Sequence, residues 1–251
     1  MTSTTLIRGF SRTRDRGMNP SASLEVSRRL LDVVAADSEI GNIVRLYRPA
    51  PTVAFTRREE GLPGFGEAVA EAMAFGFEPV IRPTGGRMVA LDENWLILDV
   101  IAPEERNRSV SHRSVFNAFG TSFVDVLNSL GIHAAVGPVP DEYCPGEFSV
   151  NARGEVKIVG TSQRVTRGAR LFSASIPFSI SPFVAELFDR VNSLLGLDWD
   201  NRRLGSLENE APALTITDVE AALLRAFVPS NATESTLADV FSWSALQRLA
   251  G

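Results

Sequence analysis

The sequence predicts an α+β domain in which mixed and antiparallel β-sheets pack against helices. Two features predict this class. Short runs rich in β-branched and aromatic residues, separated by turn residues, occupy the middle of the chain. Stretches with the apolar spacing of helices stand before, between and after them. At 251 residues the chain exceeds one typical domain, and we expect an arm at 1–18, a main domain at 19–205 and a small helical appendage at 206–251.

The N-terminal third alternates between helices and strands. Asn19 and Pro20 form a typical helix start, because asparagine caps a helix and proline fits its first turn. Two β-rich runs follow at 43–48 and 52–56, and we expect them to form neighbouring strands. A short helix then ends at Gly76.

The centre of the chain places its strongest helical pattern among several short strands. Apolar residues on one face predict a helix over 110–130. Further strands are predicted at 79–83, 88–91, 95–101, 133–136, 147–150, 156–165 and 169–176. The polar segment 151–155 predicts a turn between two of these strands. The last third is predicted to be helical over 182–195, 217–227 and 236–249.

Composition excludes several classes of protein. The net charge of −5 argues against a nucleic-acid partner, and the longest apolar runs are too short to span a membrane. A single cysteine and the lack of a signal peptide predict a cytoplasmic location. No histidine or cysteine spacing typical of a metal site is present. Several arginines flank the motifs described below and predict a basic mouth: Arg57, Arg58, Arg82, Arg87, Arg164, Arg167 and Arg170.

Cys144, the single cysteine, has two interpretations. A free cysteine is most often a small buried apolar residue. Pro145 and Gly146 follow it, and both are poor residues for a strand interior. The thiol is therefore expected on a loop, where reactive groups are commonly displayed. The cysteine alone leaves both interpretations open.

A nucleophilic thiol needs help toward the thiolate, and a nearby cation supplies it. Lys157 lies in the strand after the turn at 151–155, so an antiparallel hairpin brings it within a few residues of Cys144. A strand lysine is usually solvated, but its apolar neighbours Val156 and Ile158 weaken that interpretation.

Two further motifs are rich in small and polar residues. Gly85 and Gly86 follow Arg82, and paired glycines let a backbone approach a ligand closely, although most such pairs only mark turns. The second motif ends an apolar strand with residues that bind a substrate carbonyl or solvate the strand end: Gly160, Ser162 and Gln163.

Taken in order, the stretches "RPTGGRMVALD", "EYCPGEFSV" and "VKIVGTSQRVTRGARLFSASI" resemble the lipoate/biotin protein ligase superfamily of cofactor transferases. The resemblance implies a ligase-like catalytic domain at 19–205. The family's Arg-x-x-Gly-Gly loop matches Arg82, Gly85 and Gly86. Its lysine motif matches the residues Lys157, Gly160, Ser162 and Gln163.

The cysteine makes the chain similar to the branch of octanoyl and lipoyl transferases. The resemblance implies that Cys144 forms an acyl thioester and that Lys157 stabilises the thiolate and moves a proton, with Val89 and Val159 lining an acyl channel. We expect replacement of Lys157 to reduce transfer with little change in fold. The residues Arg87 and Leu91 depart from the ligase pattern and favour the same branch.

The resemblance also implies the ligands. No cofactor is expected to be bound permanently, and the octanoyl or lipoyl group is the transferred substrate. The implied donor is an acyl carrier protein or the glycine cleavage H protein, and the implied acceptors are lipoyl domains of 2-oxoacid dehydrogenases. Two alternatives stay open: a lipoate ligase that uses ATP and magnesium, and a degenerate relative that binds an acyl group or a lipoyl domain without catalysis.

Overall fold

The computed structural model describes residues 3–9, 20–104 and 111–240. Its frame is an eight-stranded sheet and a three-stranded sheet, which confirms the predicted α+β class. The strands are β1 (Thr4–Gly9), β2 (Asn42–Tyr47), β3 (Thr52–Phe55), β4 (Glu78–Ile81), β5 (Val89–Leu91), β6 (Trp95–Pro103), β7 (Ala134–Val136), β8 (Val150–Ala152), β9 (Val156–Thr166), β10 (Ala169–Pro177) and β11 (Thr233–Ser235). The helices are α1 (Pro20–Ala36), α2 (Phe65–Ala74), α3 (His112–Ser129), α4 (Pro182–Leu194), α5 (Leu207–Glu210), α6 (Ile216–Phe227) and α7 (Leu237–Val240).

The large sheet is antiparallel apart from one edge. Its strand order is β11-β1-β2-β6-β10-β9-β8-β7, with β1 parallel to both of its neighbours. A tight turn joins β9 to β10, and Gly168 in that turn has a φ of 107°, which favours glycine. The small sheet has the order β4-β3-β5.

Two expectations about the N-terminal third are corrected. Residues 4–9, expected within an arm at 1–18, form β1 inside the large sheet. The runs at 43–48 and 52–56 do form strands, but β2 and β3 lie in different sheets. Pro49 and Pro51 explain the separation, because proline lacks the N–H that continued strand pairing requires.

The predicted hairpin that carries Lys157 is present, but its first strand begins later than expected. The predicted run 147–150 contributes only its last residue to β8, which pairs antiparallel with β9. Arg153 and Gly154 have positive φ values in the turn between these strands. Of the predicted helix at 236–249, the structure describes the four residues of α7, and the remainder lies outside the described residues.

Alternating residues of the central strands build a core on each face of the large sheet. Leu171 packs with α1 on one face, whereas Phe172 packs with α3 and α6 on the other. A third cluster joins the small sheet to α2 and α4. Residues of the C-terminal segment also belong to the core that contains Phe172: Leu207, Val219, Ala222 and Leu223.

Among the helices within residues 20–104 and 111–240, none has both the length and the apolarity that a membrane crossing requires.

Candidate active site

Cys144 lies on the loop before β8 and is partly exposed. Its Sγ accepts a hydrogen bond from the backbone N–H of Arg87 at 3.2 Å. Gly86, with a φ of 105°, lets the loop approach this closely, because a Cβ there would lie 3.1 Å from Sγ. The predicted glycine pair and the predicted cysteine therefore meet, although 57 residues separate Arg87 from Cys144.

Lys157 is only 5% exposed and lies beside the cysteine loop. Its Nζ donates to the carbonyl oxygen of Cys144 at 2.9 Å and lies 4.7 Å from the centroid of the Tyr143 ring. The β8–β9 register produces this position, because Lys157 pairs with Asn151 at the irregularity that follows Val150. The predicted meeting of Lys157 and Cys144 is observed, but the ammonium binds the backbone of the cysteine.

The environment of Lys157 preserves its positive charge. Burial alone disfavours the ammonium form, but the negative charge that Tyr143, Cys144 and Glu142 carry when ionised outweighs burial. The pKa of Lys157 is therefore raised above its ordinary value of 10.5. Lys157 is a cation at neutral pH.

Glu142 is a site residue that our sequence reasoning missed. Its side chain is fully buried, and its Oε2 lies 3.1 Å from Lys157 Nζ. The carboxylate also accepts hydrogen bonds from the Ser149 hydroxyl at 2.8 Å and from the Gly146 N–H at 2.9 Å. A signal was present, since a lysine between apolar strand residues needs a buried counter-charge, and Glu142 is close to the cysteine in sequence.

Arg82 and a second buried carboxylate, that of Glu59, hydrogen-bond to the backbone of the glycine loop. Nη2 of Arg82 donates to the carbonyls of Gly85 at 2.7 Å and of Arg87 at 2.8 Å. Glu59, only 2% exposed, accepts the backbone N–H groups of Thr56 at 2.8 Å and Met88 at 2.6 Å. Glu59 also accepts the Thr56 hydroxyl at 3.0 Å. Sequence reasoning missed Glu59, because most of its partners are main-chain groups that leave no pattern in the sequence.

The motif at the end of β9 contacts the same region. Gly160 faces Tyr143, because a Cβ at Gly160 would lie 2.8 Å from the tyrosine hydroxyl. The Ser162 hydroxyl donates to Thr84 Oγ1 at 3.0 Å. Nε2 of Gln163 donates to the carbonyl of His112, the first residue of α3, at 3.0 Å.

The two valines predicted to line an acyl channel lie in different places. Val89 is buried and lines a small cavity next to the site. Val159 is fully buried in the core cluster under α3 and α6. The predicted roles of both in holding an acyl chain stay predictions.

Two open cavities meet at the cysteine. Cys144, Gly85 and Gly86 line both of them. The larger cavity, of about 570 Å³, is rich in arginine, and the smaller one, of about 360 Å³, includes Lys157 and the aromatic ring of Phe116. The arginines around the larger cavity are Arg57, Arg58, Arg82, Arg87 and Arg164.

Five of the seven arginines expected to form a basic mouth line this cavity, whereas Arg167 lines neither open cavity and Arg170 has a different role. Arg170 is buried and forms an ion pair with Glu104 at 2.8 Å. Within residues 3–9, 20–104 and 111–240, no cluster of three or more histidine, cysteine or acidic residues is arranged to hold a metal ion.

Solved structures share this fold. Lipoate-protein ligase A bound with ATP superposes with a TM-score of 0.73 at 21% identity, covering 100% of this chain and 93% of that one. A bi-partite lipoate protein ligase from Thermoplasma acidophilum superposes with a TM-score of 0.70 at 20% identity, covering 100% and 91%. At these identities the likeness defines the fold class, which is that of the lipoate ligase catalytic domains. The model of the lipoyl protein ligase A/B catalytic domain matches residues 19–228, and the chain belongs to that family.

Several curated relatives are named as octanoyl or lipoyl transferases. An octanoyl-GcvH:protein N-octanoyltransferase of Exiguobacterium sp. (strain ATCC BAA-1283 / AT1b) is 31% identical over 136 residues, which are 53% of this chain and 47% of that protein. The protein of the same name from Geobacillus kaustophilus is 30% identical over 126 residues, 50% of this chain and 44% of that protein. A lipoyl-GcvH:protein N-lipoyltransferase of Listeria monocytogenes is 28% identical over 124 residues, 48% and 43%. The chain spans about half the length of the curated relatives it matches.

Proposed function

We propose that this protein is an acyltransferase that carries an octanoyl or lipoyl group from a carrier protein, through a thioester on Cys144, to a lysine amine of a lipoyl-domain protein. One observation carries the proposal. The thiol of Cys144 faces two open cavities while the buried ammonium of Lys157 is fixed to the carbonyl of the same residue. A thiol accessible from two sides is suited to receive an acyl group from one partner and pass it to another.

The first half of the reaction forms the enzyme thioester. The Cys144 thiolate attacks the acyl carbonyl of the donor, and the bond from that carbonyl to the donor's sulfur or nitrogen breaks, with the leaving group taking up a proton. The fixed charge of Lys157 stabilises the anionic sulfur and the developing oxyanion. Backbone N–H groups near Gly85 and Gly86 are candidates to complete the oxyanion site.

The second half transfers the acyl group to the acceptor. A neutral lysine amine of the acceptor attacks the thioester carbonyl, an amide forms, and the sulfur leaves as thiolate while the amine loses a proton. Because the pKa of Lys157 is raised, this residue acts as a fixed cation or an acid, and it is a poor base at neutral pH. This narrows the proton-transfer role that the family resemblance implies for Lys157.

The basic cavity indicates the class of donor. Five arginines around Cys144 favour an acidic carrier protein or a phosphate-bearing thioester. The names of the curated relatives favour octanoylated or lipoylated GcvH as a partner. Lipoyl domains of 2-oxoacid dehydrogenases as acceptors stay a prediction. An acyl carrier protein as donor, the need for no permanent cofactor and a cytoplasmic location stay predictions.

An ATP-dependent lipoate ligase is the second candidate. The same arginines that suit an acidic carrier also suit a triphosphate, and ATP is bound to one of the proteins of this fold. This candidate needs free octanoate or lipoate and nucleotide, and it gives Cys144 no role. The two candidates therefore differ in whether activity requires ATP and whether it requires Cys144.

The deciding experiment is incubation of the protein with octanoylated GcvH in the absence of nucleotide, followed by intact-mass analysis. We expect an adduct of about 126 Da on the wild type and none on Cys144→Ser. The control is Ser122→Ala, which removes an exposed hydroxyl of α3 that does not line either cavity. Activity that requires ATP and free octanoate, with Cys144→Ser as active as the wild type, would establish the ligase instead. A protein inactive in both assays would be a binder.

A further inference from the structure

The hydrogen bond from the Arg87 N–H to Cys144 Sγ depends on the backbone of the glycine loop. A donor at this position stabilises the ionised sulfur more than the neutral thiol, because an N–H group bonds an anion more strongly. Gly86 stands directly before Arg87 and has a φ of 105°. Glycine does not fix its own conformation, so the direction of the Arg87 N–H has to be set by contacts from outside the loop.

The peptide unit that follows Arg87 is held at both ends. Its carbonyl, that of Arg87, accepts a hydrogen bond from Arg82 Nη2 at 2.8 Å, and its N–H, that of Met88, donates to Oε1 of Glu59 at 2.6 Å. A peptide unit is planar, so only the two backbone dihedrals of Arg87 separate this unit from the N–H that reaches the sulfur. Fixing the Met88 N–H therefore fixes one side of the contact with Cys144.

Glu59 is itself anchored in a neighbouring turn. Its other oxygen, Oε2, accepts the N–H of Thr56 at 2.8 Å and the hydroxyl of Thr56 at 3.0 Å, and the residue is 2% exposed. Three donors thus point at one buried carboxylate, and each oxygen serves a different segment of the chain. A carboxamide of the same shape cannot replace it, because its NH2 group would face an N–H of Thr56 or of Met88.

We propose that Glu59 is a positioning residue for the nucleophile. Through the Met88 N–H it directs the Arg87 N–H at Cys144 Sγ, and it thereby raises the fraction of the thiol that is ionised. The inference rests on the proposed function, in which the Cys144 thiolate attacks the acyl donor, and adds a residue that acts on this step from a distance. Glu59 lines neither open cavity, so this role requires no contact with substrate.

The charge of Glu59 acts in the opposite sense to its hydrogen bond. A buried anion near the site disfavours a second anion on the sulfur, so loss of this charge alone would favour the thiolate. Loss of the positioning contact disfavours the thiolate, and the sign of the change in thiol reactivity therefore separates the two effects. Substitutions at Glu59 retain the other ionisable side chains around Cys144: Lys157, Glu142, Tyr143, His112, Glu147 and the five arginines of the basic cavity.

The test is alkylation of the full chain by iodoacetamide, which reports the Cys144 thiol alone because the chain has one cysteine. At neutral pH we expect Glu59→Gln to react about 3- to 10-fold more slowly than wild type. Loss of a hydrogen bond to an anion lowers the ionised fraction about 10- to 100-fold, and the greater nucleophilicity of the less acidic thiol offsets roughly half of this on a logarithmic scale. At about pH 10, where thiols are ionised, the variant should react at least as fast as wild type.

Glu59→Asp is the second variant, and it takes the place of Glu59→Gln if the latter does not fold. It keeps the charge but has a shorter side chain, so its carboxylate cannot reach Thr56 and Met88 together, and it should show the same slowing at neutral pH. The control Glu60→Gln makes the same change of charge on the next residue, whose side chain is 40% exposed. It should react at the wild-type rate or faster.

An unchanged or faster rate at neutral pH in the deciding variant would overturn the inference. Equal slowing at both pH values would also overturn it, because Glu59 would then control only access to the sulfur. Failure of the proposed function has a different signature: no octanoyl adduct forms on Cys144, while the alkylation rates of wild type and Glu59→Gln still differ.

Discussion

The ammonium of Lys157 lies between the carbonyl oxygen of Cys144, at 2.9 Å, and the carboxylate of Glu142, at 3.1 Å. The lysine thus ties the cysteine loop to β9, while the thiol itself accepts the N–H of Arg87. Cys144 is held from two directions, and its sulfur is positioned by backbone contacts. Lys157 and Glu142 form one buried unit, so the effect of replacing one of them depends on the other.

The first prediction concerns this buried pair. Lys157→Met leaves the Glu142 carboxylate buried without its cation, and we expect it to lower the free energy of unfolding by about 3–5 kcal/mol. Our sequence-based expectation of little change in fold overlooked this partner. The double variant Lys157→Met/Glu142→Gln removes both charges, and it should recover most of the lost stability in chemical denaturation.

Transfer should not recover with stability in that double variant. We expect the rate of adduct formation to remain about 100-fold or more below wild type, because the cation is still missing. Recovery of the rate together with the stability would show that Lys157 has only a structural role.

The second prediction concerns pH. Burial lowers the pKa of Lys157, but Tyr143, Cys144 and Glu142 together outweigh burial and raise the pKa in the folded protein above its ordinary 10.5. The stability that this charge contributes is therefore fully present below pH 10.5 and is lost only as the pH rises through the raised value. Between about pH 7 and 9, neither unfolding free energy nor adduct formation should fall through deprotonation of Lys157. A decline in that window that is absent from the Lys157→Met/Glu142→Gln variant would contradict this assignment.

The sequence predicted much of the fold and singled out Cys144, Lys157 and the glycine loop as candidates, because these features leave local signals. The helix at α3 and the hairpin that carries Lys157 follow from apolar spacing and from the polar turn at 151–155. The meeting of Gly86 with Cys144 followed from motif order and family resemblance, since no local pattern links these distant positions.

The parts that sequence reasoning missed depend on three-dimensional pairing. Glu142 neutralises Lys157, and Glu59 accepts the N–H of Met88. Both pairings arise only once the chain has folded. The placement of β1 within the large sheet likewise depends on pairing with β2 and with the distant β11. A short β-rich run carries no information about which strand it will join.

The third prediction concerns the close contact at Gly160. A Cβ there would lie 2.8 Å from the Tyr143 hydroxyl and 3.1 Å from Ser175 Oγ. Tyr143 is 4% exposed and packs against Phe188, so it has little room to move. We expect Gly160→Ala to cost about 1–3 kcal/mol of unfolding free energy. It should slow adduct formation about 10- to 100-fold through displacement of the groups around Lys157.

The control for this variant is Gly66→Ala in α2, where an added Cβ meets no atom within 4 Å. It should raise the unfolding free energy by about 0.5 kcal/mol and leave adduct formation unchanged. A wild-type rate in Gly160→Ala would show that the spacing between β9 and Tyr143 is not needed for acyl capture.

The fourth prediction separates carrier docking from chemistry. Arg57 lines the basic cavity and its side chain is 86% exposed, so Arg57→Glu changes the charge of the cavity without disturbing the core. We expect this variant to raise KM for octanoylated GcvH about 3- to 10-fold at low salt, with kcat unchanged. The difference from wild type should shrink as the ionic strength rises, because exposed charges are screened.

The control Arg225→Glu makes the same change of net charge on an exposed position of α6 and should match wild type. A small octanoyl thioester without a carrier should acylate Cys144 at the same rate in all three proteins, and equal slowing with both donors would mean that Arg57 acts on the chemistry.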